Sequence, residues 1–110
     1  MKYLCLVYLE EEKLRAVPDT ECFACGQSFR DKGVLLGAEA LQPTATATTV
    51  RVRNGKLAVT DGPFAETKEQ LAGFYLFDAH DLNEAIAFAA KIPPAREGSV
   101  EVRPVRQLDV

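Results

Sequence analysis

The chain has 110 residues, 47% of them hydrophobic and 26% charged, and a formal net charge of −3. A folded monomer of this mass is expected to expose roughly 6,000 Å², about a third of its extended-chain surface, so residues 1–110 suffice for a single domain and not for two. The apolar content excludes a disordered chain, and the seven glycines and six prolines exclude a coiled coil. No apolar run approaches the roughly 18 residues of a membrane span, so no membrane partner is expected.

Charge and cysteine content narrow the classes of partner molecule and the cellular compartment that we expect for this chain. Sixteen acidic residues outnumber thirteen basic ones, and no run of Lys or Arg offers a basic face, which argues against nucleic-acid binding. The three cysteines are odd in number and all precede residue 26, unlike a secreted disulfide framework. Because glutamates follow the first apolar run where a signal peptide would have its cleavage site, we expect a cytoplasmic protein.

The first third of the chain predicts a strand, a helix and a second strand. Residues 3–8, YLCLVY, are apolar on both alternating faces, as in a central strand. A helix is predicted over residues 19–32, with Asp19 as its N-cap and Gly33 after its end. Residues 34–41 predict the second strand. The expected buried face of the helix consists of Cys22, Cys25, Gly26 and Phe29.

A β-hairpin is predicted next, over residues 46–59. Thr and Val are frequent in its first half, and Asn54-Gly55 is the favoured dipeptide of a two-residue type I′ turn. The turn fixes a register that places apolar pairs on one face and charged residues on the other. The predicted pairs are Arg53 with Lys56, Val52 with Leu57, Arg51 with Ala58, and Val50 with Val59.

The last elements are a strand, a helix and a closing strand. Residues 73–78, GFYLFD, are again apolar on both faces. A second helix begins at Asp81, which forms a capping box with Glu84. Residues 99–105 alternate between Val and charged side chains and predict the final strand. The predicted apolar stripe of the helix is Leu82, Ala85, Ile86 and Ala89.

This order of elements predicts an α+β fold of the ferredoxin-like type, with two helices on one face of the sheet. Because two helices cover only one face, strands that are apolar on both faces leave the other face bare. A bare apolar face favours a second copy of the chain as its partner. We therefore predict a homodimer packed through the sheet face.

The segment between the hairpin and the next strand, DGPFAETKE at 61–69, carries the candidate chemistry. Asp-Gly-Pro is typical of a turn. A turn that held Asp61 beside a cavity would suit it to general acid–base catalysis, and Lys68 would stabilise an anion while Glu66 orients it. The alternative interpretation is that the turn only ends the hairpin and its charges are solvated.

The sequence, with this segment and the elements around it, resembles the YCII-related family in its DGPF-domain branch. The resemblance covers nearly the whole chain and is carried by DGPFAETKE, the GFYLFDA strand, the DL-x-EA helix and the closing SVEVRPV. It implies a ferredoxin-like fold assembled as a dimeric α+β barrel. The matching positions of the loop are Asp61, Gly62, Pro63, Phe64, Glu66, Lys68 and Glu69.

The resemblance implies two kinds of function. Some YCII members are suspected enzymes because a His and an Asp lie together in a pocket, and DGPF members are often encoded beside alternative sigma factors. Here the only histidine is His80, which follows the loop, so this His–Asp pair is not expected in its usual form. His80 itself is interpreted as an exposed residue beside the cap of the second helix.

Cys22 and Cys25 offer a redox function as a further alternative. Cys22-x-x-Cys25 near a helix start is the placement of thioredoxin-like redox motifs, but both lie on the predicted core face, which favours a structural role. No further Cys or His pair completes a zinc site, and we predict no metal and no cofactor.

The sequence therefore predicts a dimer that binds a small organic ligand beside the 61–69 loop. Asp61 is the candidate acid or base, and Glu66, Lys68, Glu69 and Tyr75 are the candidate ligand-binding residues. The alternative is a non-catalytic regulatory or interaction module that works with an alternative sigma factor.

Overall fold

A computed structural model describes all 110 residues. Every predicted strand and helix is present, with ends that differ by a few residues. No helix is long and apolar enough to cross a membrane. The elements are β1 Lys2–Leu9, α1 Asp19–Asp31, β2 Leu35–Ala40, β3 Thr48–Arg53, β4 Lys56–Asp61, β5 Gln70–Asp78, α2 Leu82–Ala89 and β6 Ser99–Pro104.

The main sheet has four antiparallel strands in the order β2-β5-β1-β6. The two strands with apolar residues on both faces, β1 and β5, occupy the centre, as their patterns predicted. Strands β3 and β4 form a separate two-stranded sheet. The predicted mixed α+β, ferredoxin-like fold is confirmed. The β3–β4 hairpin is an insertion in the chain between β2 and β5, two neighbouring strands of the main sheet.

Helix α1 begins at Asp19, but Asp19 is not its cap. Pro18 occupies the N-cap position with an extended backbone, φ −62° and ψ 140°. The Pro18 carbonyl accepts hydrogen bonds from the amides of Glu21 and Cys22 at 3.0 and 3.3 Å. Asp19 is already helical, so its side chain lies one residue past the capping position. At the other end, Gly33 has the positive φ of 74° that favours glycine after a helix.

The hairpin is confirmed in both turn and register. Asn54 and Gly55 have φ values of 52° and 73°, as a type I′ turn requires at both central positions. Val50 pairs with Val59, and Arg51 with Ala58, as predicted. Strand β3 begins at Thr48 rather than Thr46, because residues 44–46 form a short 3-10 turn after Pro43.

Helix α2 begins as predicted, and half of its predicted stripe is buried. The Asp81 carboxylate accepts from the Glu84 amide at 2.9 Å, while the Glu84 carboxylate accepts from the His80 amide at 3.0 Å, one residue earlier than in a capping box. The predicted stripe is partly wrong, because Leu82 and Ile86 are about half exposed. The buried residues are Ala85 and Ala89, and Phe88 completes this face by packing into the aromatic core.

The core between sheet and helices is built around an aromatic cluster. The rings of Phe29 from α1 and Phe77 from β5 meet edge to face, with centroids 4.8 Å apart. Phe88 of α2 lies 5.6 Å from Phe29 and 5.1 Å from Phe77. Buried Cys5 and Ile92 join the same cluster. The helices are therefore fixed to the sheet through large apolar side chains rather than through polar contacts.

The opposite face of the sheet has no helix over it. In β1, the residues that alternate with buried Cys5 are Leu4 and Leu6, and they pair across the sheet with Leu76 and Phe74. These four side chains are only half-buried. Since the two helices pack on the other face, this apolar stripe matches the bare face that the sequence predicted.

The chain exposes more surface than its mass requires. Its accessible surface is 7802 Å², against roughly 6,000 Å² for a typical monomer of this size. Its radius of gyration is 15.6 Å, against about 13 Å for a compact domain of this length. The hairpin of residues 48–61, hereafter the hairpin arm, and the extended residues 105–110 account for this open shape.

Candidate functional site

A wide cavity of about 1020 Å³ lies between the 61–69 loop, the base of the hairpin arm and the sheet end where β1 meets β6. Tyr8 and Phe64 bring aromatic rings to its wall, and Glu69 and Glu101 bring carboxylates. Hydroxyl side chains make up much of the remainder. They are Thr44, Thr46, Thr48, Thr49, Thr67 and Ser99.

The loop is held in place by the base of the hairpin arm. Strand β4 ends at Asp61, and Gly62 turns the chain with a φ of 101°, a conformation that favours glycine. The Gly62 amide donates to the Ala47 carbonyl at 2.8 Å, and the Thr49 hydroxyl donates to the Gly62 carbonyl at 2.8 Å. These bonds fix the turn that carries the DGPF residues along the cavity.

The structure separates the predicted site residues of the loop. Glu69 lines the cavity, and its carboxylate accepts from the Ser99 hydroxyl at 2.7 Å. Asp61 and Glu66 are exposed and lie outside the cavity wall. The loop therefore brings one of its predicted carboxylates to the cavity and directs the other two elsewhere.

Lys68 lies outside the wall and is engaged in an ion pair. Its ammonium group is 3.6 Å from a carboxylate oxygen of Glu10, which also pairs with Lys13 at 3.2 Å. The hydrogen bond from Lys13, together with the charges of both lysines, lowers the pKa of Glu10. Lys68 therefore ties the loop to the end of β1 rather than presenting a free cation to the cavity.

Glu11, beside Glu10, holds the opposite rim of the cavity. Its carboxylate accepts from the amide of Thr44 at 3.0 Å and from the Thr44 hydroxyl. These two hydrogen bonds lower the pKa of Glu11. The two adjacent glutamates after β1 thus contact both segments that bound the cavity, the loop through Glu10 and the 44–46 turn through Glu11.

Tyr75 lies on the helix-covered face of the sheet and is not brought together with the loop. It pairs across the sheet with buried Cys5 and stacks on Phe77, with ring centroids 5.8 Å apart. Burial, reinforced by the neighbouring thiols of Cys25 and Cys22, raises the pKa of Tyr75 to about 12. A smaller cavity of about 290 Å³, between α1 and the sheet, receives its side chain.

Cys22 and Cys25 are half-buried free thiols near Tyr75. The Cys25 thiol donates to the Lys91 carbonyl at 3.5 Å. Burial raises the pKa of both thiols, and for Cys22 the charges of Asp19 and Glu21 raise it further. A reactive redox cysteine needs the reverse shift, so this geometry favours the structural role.

Burial of Cys5 and Tyr75 predicts a loss of stability in alkali. The pKa of Cys5 is raised from 9.0 to about 11 and that of Tyr75 from 10.0 to about 12. As pH rises above about 9, the unfolded chain releases these protons first, so the free energy of unfolding falls until the folded-state values are passed. Tyr75→Phe removes one of these groups. We expect its urea midpoint to fall less than that of the parent between pH 9 and pH 11, and an equal or larger fall would contradict the assignment.

Several cavity residues carried no sequence signal as site residues. Glu101 alternates with Val100 and Val102 and read as an outward charge of a closing strand. Its place on the cavity wall depends on β6 pairing with β1, where it lies opposite Leu6. Among the threonines of the cavity wall, Thr46, Thr48 and Thr49 fit the pattern of a hairpin strand and so gave no sign of a binding role. No three His, Cys, Asp or Glu side chains come together as a metal-binding cluster.

Comparison with known proteins agrees with this fold. The model of the YCII-related domain matches residues 1–109. The chain belongs to the YCII-related family. An uncharacterised protein of Rhizobium meliloti is 44% identical over 98 residues, which are 87% of this YCII-related chain and 77% of that protein.

A solved structure shares the fold at low sequence identity. It is 5-chloro-2-hydroxyhydroquinone dehydrochlorinase from Burkholderia phenoliruptrix, in complex with 2,5-dihydroxybenzoquinone. The alignment covers 96% of this chain and 94% of that one, with a TM-score of 0.53 and 13% identity. At that identity the likeness concerns the fold of this YCII-related protein and not its chemistry.

Proposed function

We propose that this YCII-related protein is a homodimer that binds a small, neutral, hydroxylated organic molecule in the cavity beside the 61–69 loop. The observation that carries the proposal is the composition of the cavity wall. It contains six Ser and Thr hydroxyls and two carboxylates, Glu69 and Glu101, but no Lys, Arg or His. Because Glu101 is paired with Arg103, Glu69 is the carboxylate that is free to accept hydrogen bonds from a ligand and to repel an anion.

The aromatic residues of the wall narrow the ligand class. Tyr8 and Phe64 offer rings at two sides of a cavity large enough for a single-ring compound. A hydroxylated benzene supplies both a ring for them and an O–H donor for Glu69. The dehydrochlorinase that shares the fold acts, by its name, on a compound of this class, which supports the choice of probe.

For acid–base chemistry we favour Glu69. It lines the cavity and its carboxylate is oriented by the Ser99 hydroxyl at 2.7 Å, so a ligand hydroxyl can reach it directly. The role of Asp61 as an acid or base stays a prediction, and its carboxylate lies outside the wall. An Asp61→Asn variant that binds and converts every probe like the parent would remove Asp61 from the mechanism.

The homodimer is proposed from the helix-free face. Leu4, Leu6, Phe74 and Leu76 form an apolar stripe at the centre of that face. An apolar sheet face without a helix over it favours a second copy of the chain as its cover. A single 12.1 kDa species by light scattering at micromolar concentration would overturn the dimer.

Binding of hydroquinone, measured by calorimetry, tests the cavity. We expect Glu69→Gln to weaken it about tenfold, because it loses a charged hydrogen-bond acceptor, and Glu101→Gln to weaken it less, because Glu101 already accepts from Arg103. Glu66→Gln is the matched control, since it makes the same substitution on the same loop at a residue exposed outside the wall, and it should leave the affinity within about twofold.

A second probe tests the charge of the site. The compound 4-hydroxybenzoate replaces one hydroxyl of hydroquinone by a carboxylate, so we expect it to bind at least about tenfold more weakly. Equal or tighter binding of the anion would contradict the proposed ligand class. Failure of every probe, together with co-purification of a transcription factor, would favour the sigma-factor module instead.

A further inference from the structure

The smaller cavity, of about 290 Å³, lies between α1 and the helix-covered face of the sheet, where small residues meet. Gly26 lines it from the helix, and Ala38, Ala40 and Gly73 line it from β2 and β5. None of these four carries more than a methyl group, so the space between helix and sheet stays open at this point. Gly73 has no larger alternative, because a Cβ there would lie 2.8 Å from the carbonyl oxygen of Glu39.

Arg30 brings an unpaired cation to this cavity. One terminal nitrogen of its guanidinium lies 3.5 Å from the position that a Cβ of Gly26 would occupy, so the side chain folds back along α1 onto the cavity wall. Arg96 and Arg103 each pair with a glutamate, whereas none of the ion pairs of the protein involves Arg30. A guanidinium held against an open cavity without a carboxylate partner is suited to bind the carboxylate of a ligand.

The Tyr75 hydroxyl is a second donor for the same ligand group. Its side chain lines the cavity. Burial raises the pKa of Tyr75 to about 12, and the nearby charge of Arg30 opposes part of that rise. The hydroxyl therefore keeps its proton at neutral pH and can donate a hydrogen bond to an anion. Burial also raises the pKa of the Cys22 thiol on the same wall, so this thiol adds no negative charge.

The acidic residues of the wall limit the ligand to a single carboxylate. Asp19 lies at the other end of the wall from Arg30, in the first turn of α1, and its charge contributes to the raised pKa of Cys22. Glu39 alternates along β2 with the small residues that line the cavity, so its side chain points to the opposite face of the sheet. The cavity thus has a positive end, an apolar middle and a negative end that repels a second carboxylate.

We propose that this second cavity binds a short aliphatic monocarboxylate, whose carboxylate contacts the Arg30 guanidinium and the Tyr75 hydroxyl while its alkyl chain lies between α1 and the sheet. The volume is at the lower limit of ligand cavities and suits a compound of the size of pentanoate. The second cavity shares no lining residue with the cavity beside the 61–69 loop, so this site is independent of the proposed function.

Titration of ¹⁵N-labelled protein with pentanoate, followed through amide chemical shifts, tests the site. We expect saturable shifts at Gly26 and Gly73 but not at Ser99, which lines the other cavity. Arg30→Gln should weaken binding at least about tenfold, because it removes the charged donor. Arg106→Gln is the matched control, since it removes the same charge from an exposed residue that lines neither cavity, and it should leave the affinity within about twofold.

Two related compounds test the assigned chemistry. Pentanamide keeps the chain and loses the charge, and glutarate adds a carboxylate at the end that faces Asp19. We expect each to bind at least about tenfold more weakly than pentanoate. Equal binding of pentanamide would overturn the carboxylate site at Arg30, and equal binding of glutarate would overturn the orientation of the ligand toward Asp19.

Ala38→Leu tests the cavity itself without removing a polar group. We expect it to weaken pentanoate binding about tenfold and to leave hydroquinone affinity and the urea midpoint unchanged. Ala24→Leu adds the same atoms at an exposed position of α1 outside the cavity and should alter none of the three. A fall in the urea midpoint confined to Ala38→Leu would show that the space is closed in solution and would overturn the inference.

The two cavities are separated by measuring both ligands on the same variants. The comparison of hydroquinone with 4-hydroxybenzoate is made in the Arg30→Gln protein, so that the anion is not held at the second cavity. Pentanoate that fails to bind, or that binds equally to Arg30→Gln and the parent, would overturn this inference while hydroquinone binding and its dependence on Glu69 leave the proposed function in place.

Discussion

Phe29→Ala is expected to lower the free energy of unfolding by about 4 kcal/mol, within the range measured for large aromatic residues truncated in a packed core. Phe29 is 2% exposed and its ring meets those of Phe77 and Phe88. Removing it leaves a cavity at the junction of α1, β5 and α2. For a domain whose total stability is about 5–15 kcal/mol, this is a large fraction.

The matched control lies on the same helix. Phe23 is 71% exposed, so Phe23→Ala removes an equal number of atoms from a position that buries little of them. We expect it to change the free energy of unfolding by less than about 0.5 kcal/mol. Both variants are compared with the parent by urea unfolding at one protein concentration, because the proposed dimerisation would make apparent stability concentration-dependent. Equal losses would show that the aromatic cluster is not the centre of the core.

The sequence predicted the elements well wherever a local rule specified them. The Asn54-Gly55 dipeptide specified a type I′ turn, and that turn specified the register of the hairpin. The cap at Asp81 depended only on a nearby backbone amide, that of Glu84. The stripe of α2 failed because periodicity shows that one face is apolar but not how the helix is rotated on the sheet. Leu82 and Ile86 fit the period as well as Ala85 does, and packing of Phe88 into the core decided between them.

The candidate site was predicted less completely than the fold. The loop lies between the hairpin and β5, as predicted, but which of its side chains reach the cavity depends on how the turn at Gly62 is held. Tyr75 is predicted to bind the ligand as part of the aromatic strand, whereas strand alternation places it on the helix-covered face with Cys5. Glu101 comes to the cavity from the other end of the chain, through strand pairing that no local pattern specifies.

Gly98→Ala is the other substitution expected to have a large effect. An added Cβ would lie 2.1 Å from the carbonyl oxygen of Tyr8 and 2.8 Å from a side-chain carbon of Leu9. The first of these is a backbone atom of the inner strand β1, so the clash cannot be relieved by a side-chain rotation. We expect a loss of about 3 kcal/mol in the free energy of unfolding, at the upper end of overpacking effects.

Gly37→Ala is the control, because a Cβ there meets no atom within 4 Å and Gly37 has no positive φ. It should change the free energy of unfolding by less than about 0.5 kcal/mol. A loss of similar size in both variants would mean that β6 is not held as close to β1 at Gly98 as the structure has it.

Gly98 also connects the fold to the candidate site. It immediately precedes Ser99, which hydrogen-bonds Glu69, and lies three residues before Glu101. A displacement that separates the start of β6 from Tyr8 therefore moves Ser99 and Glu101, and it disturbs Glu69 through its hydrogen bond with Ser99. For the fraction of Gly98→Ala protein that remains folded, we expect hydroquinone affinity to fall by more than either Glu69→Gln or Glu101→Gln alone produces. Unchanged affinity would place the ligand away from this end of the sheet, since no other contact of Gly98 reaches the cavity.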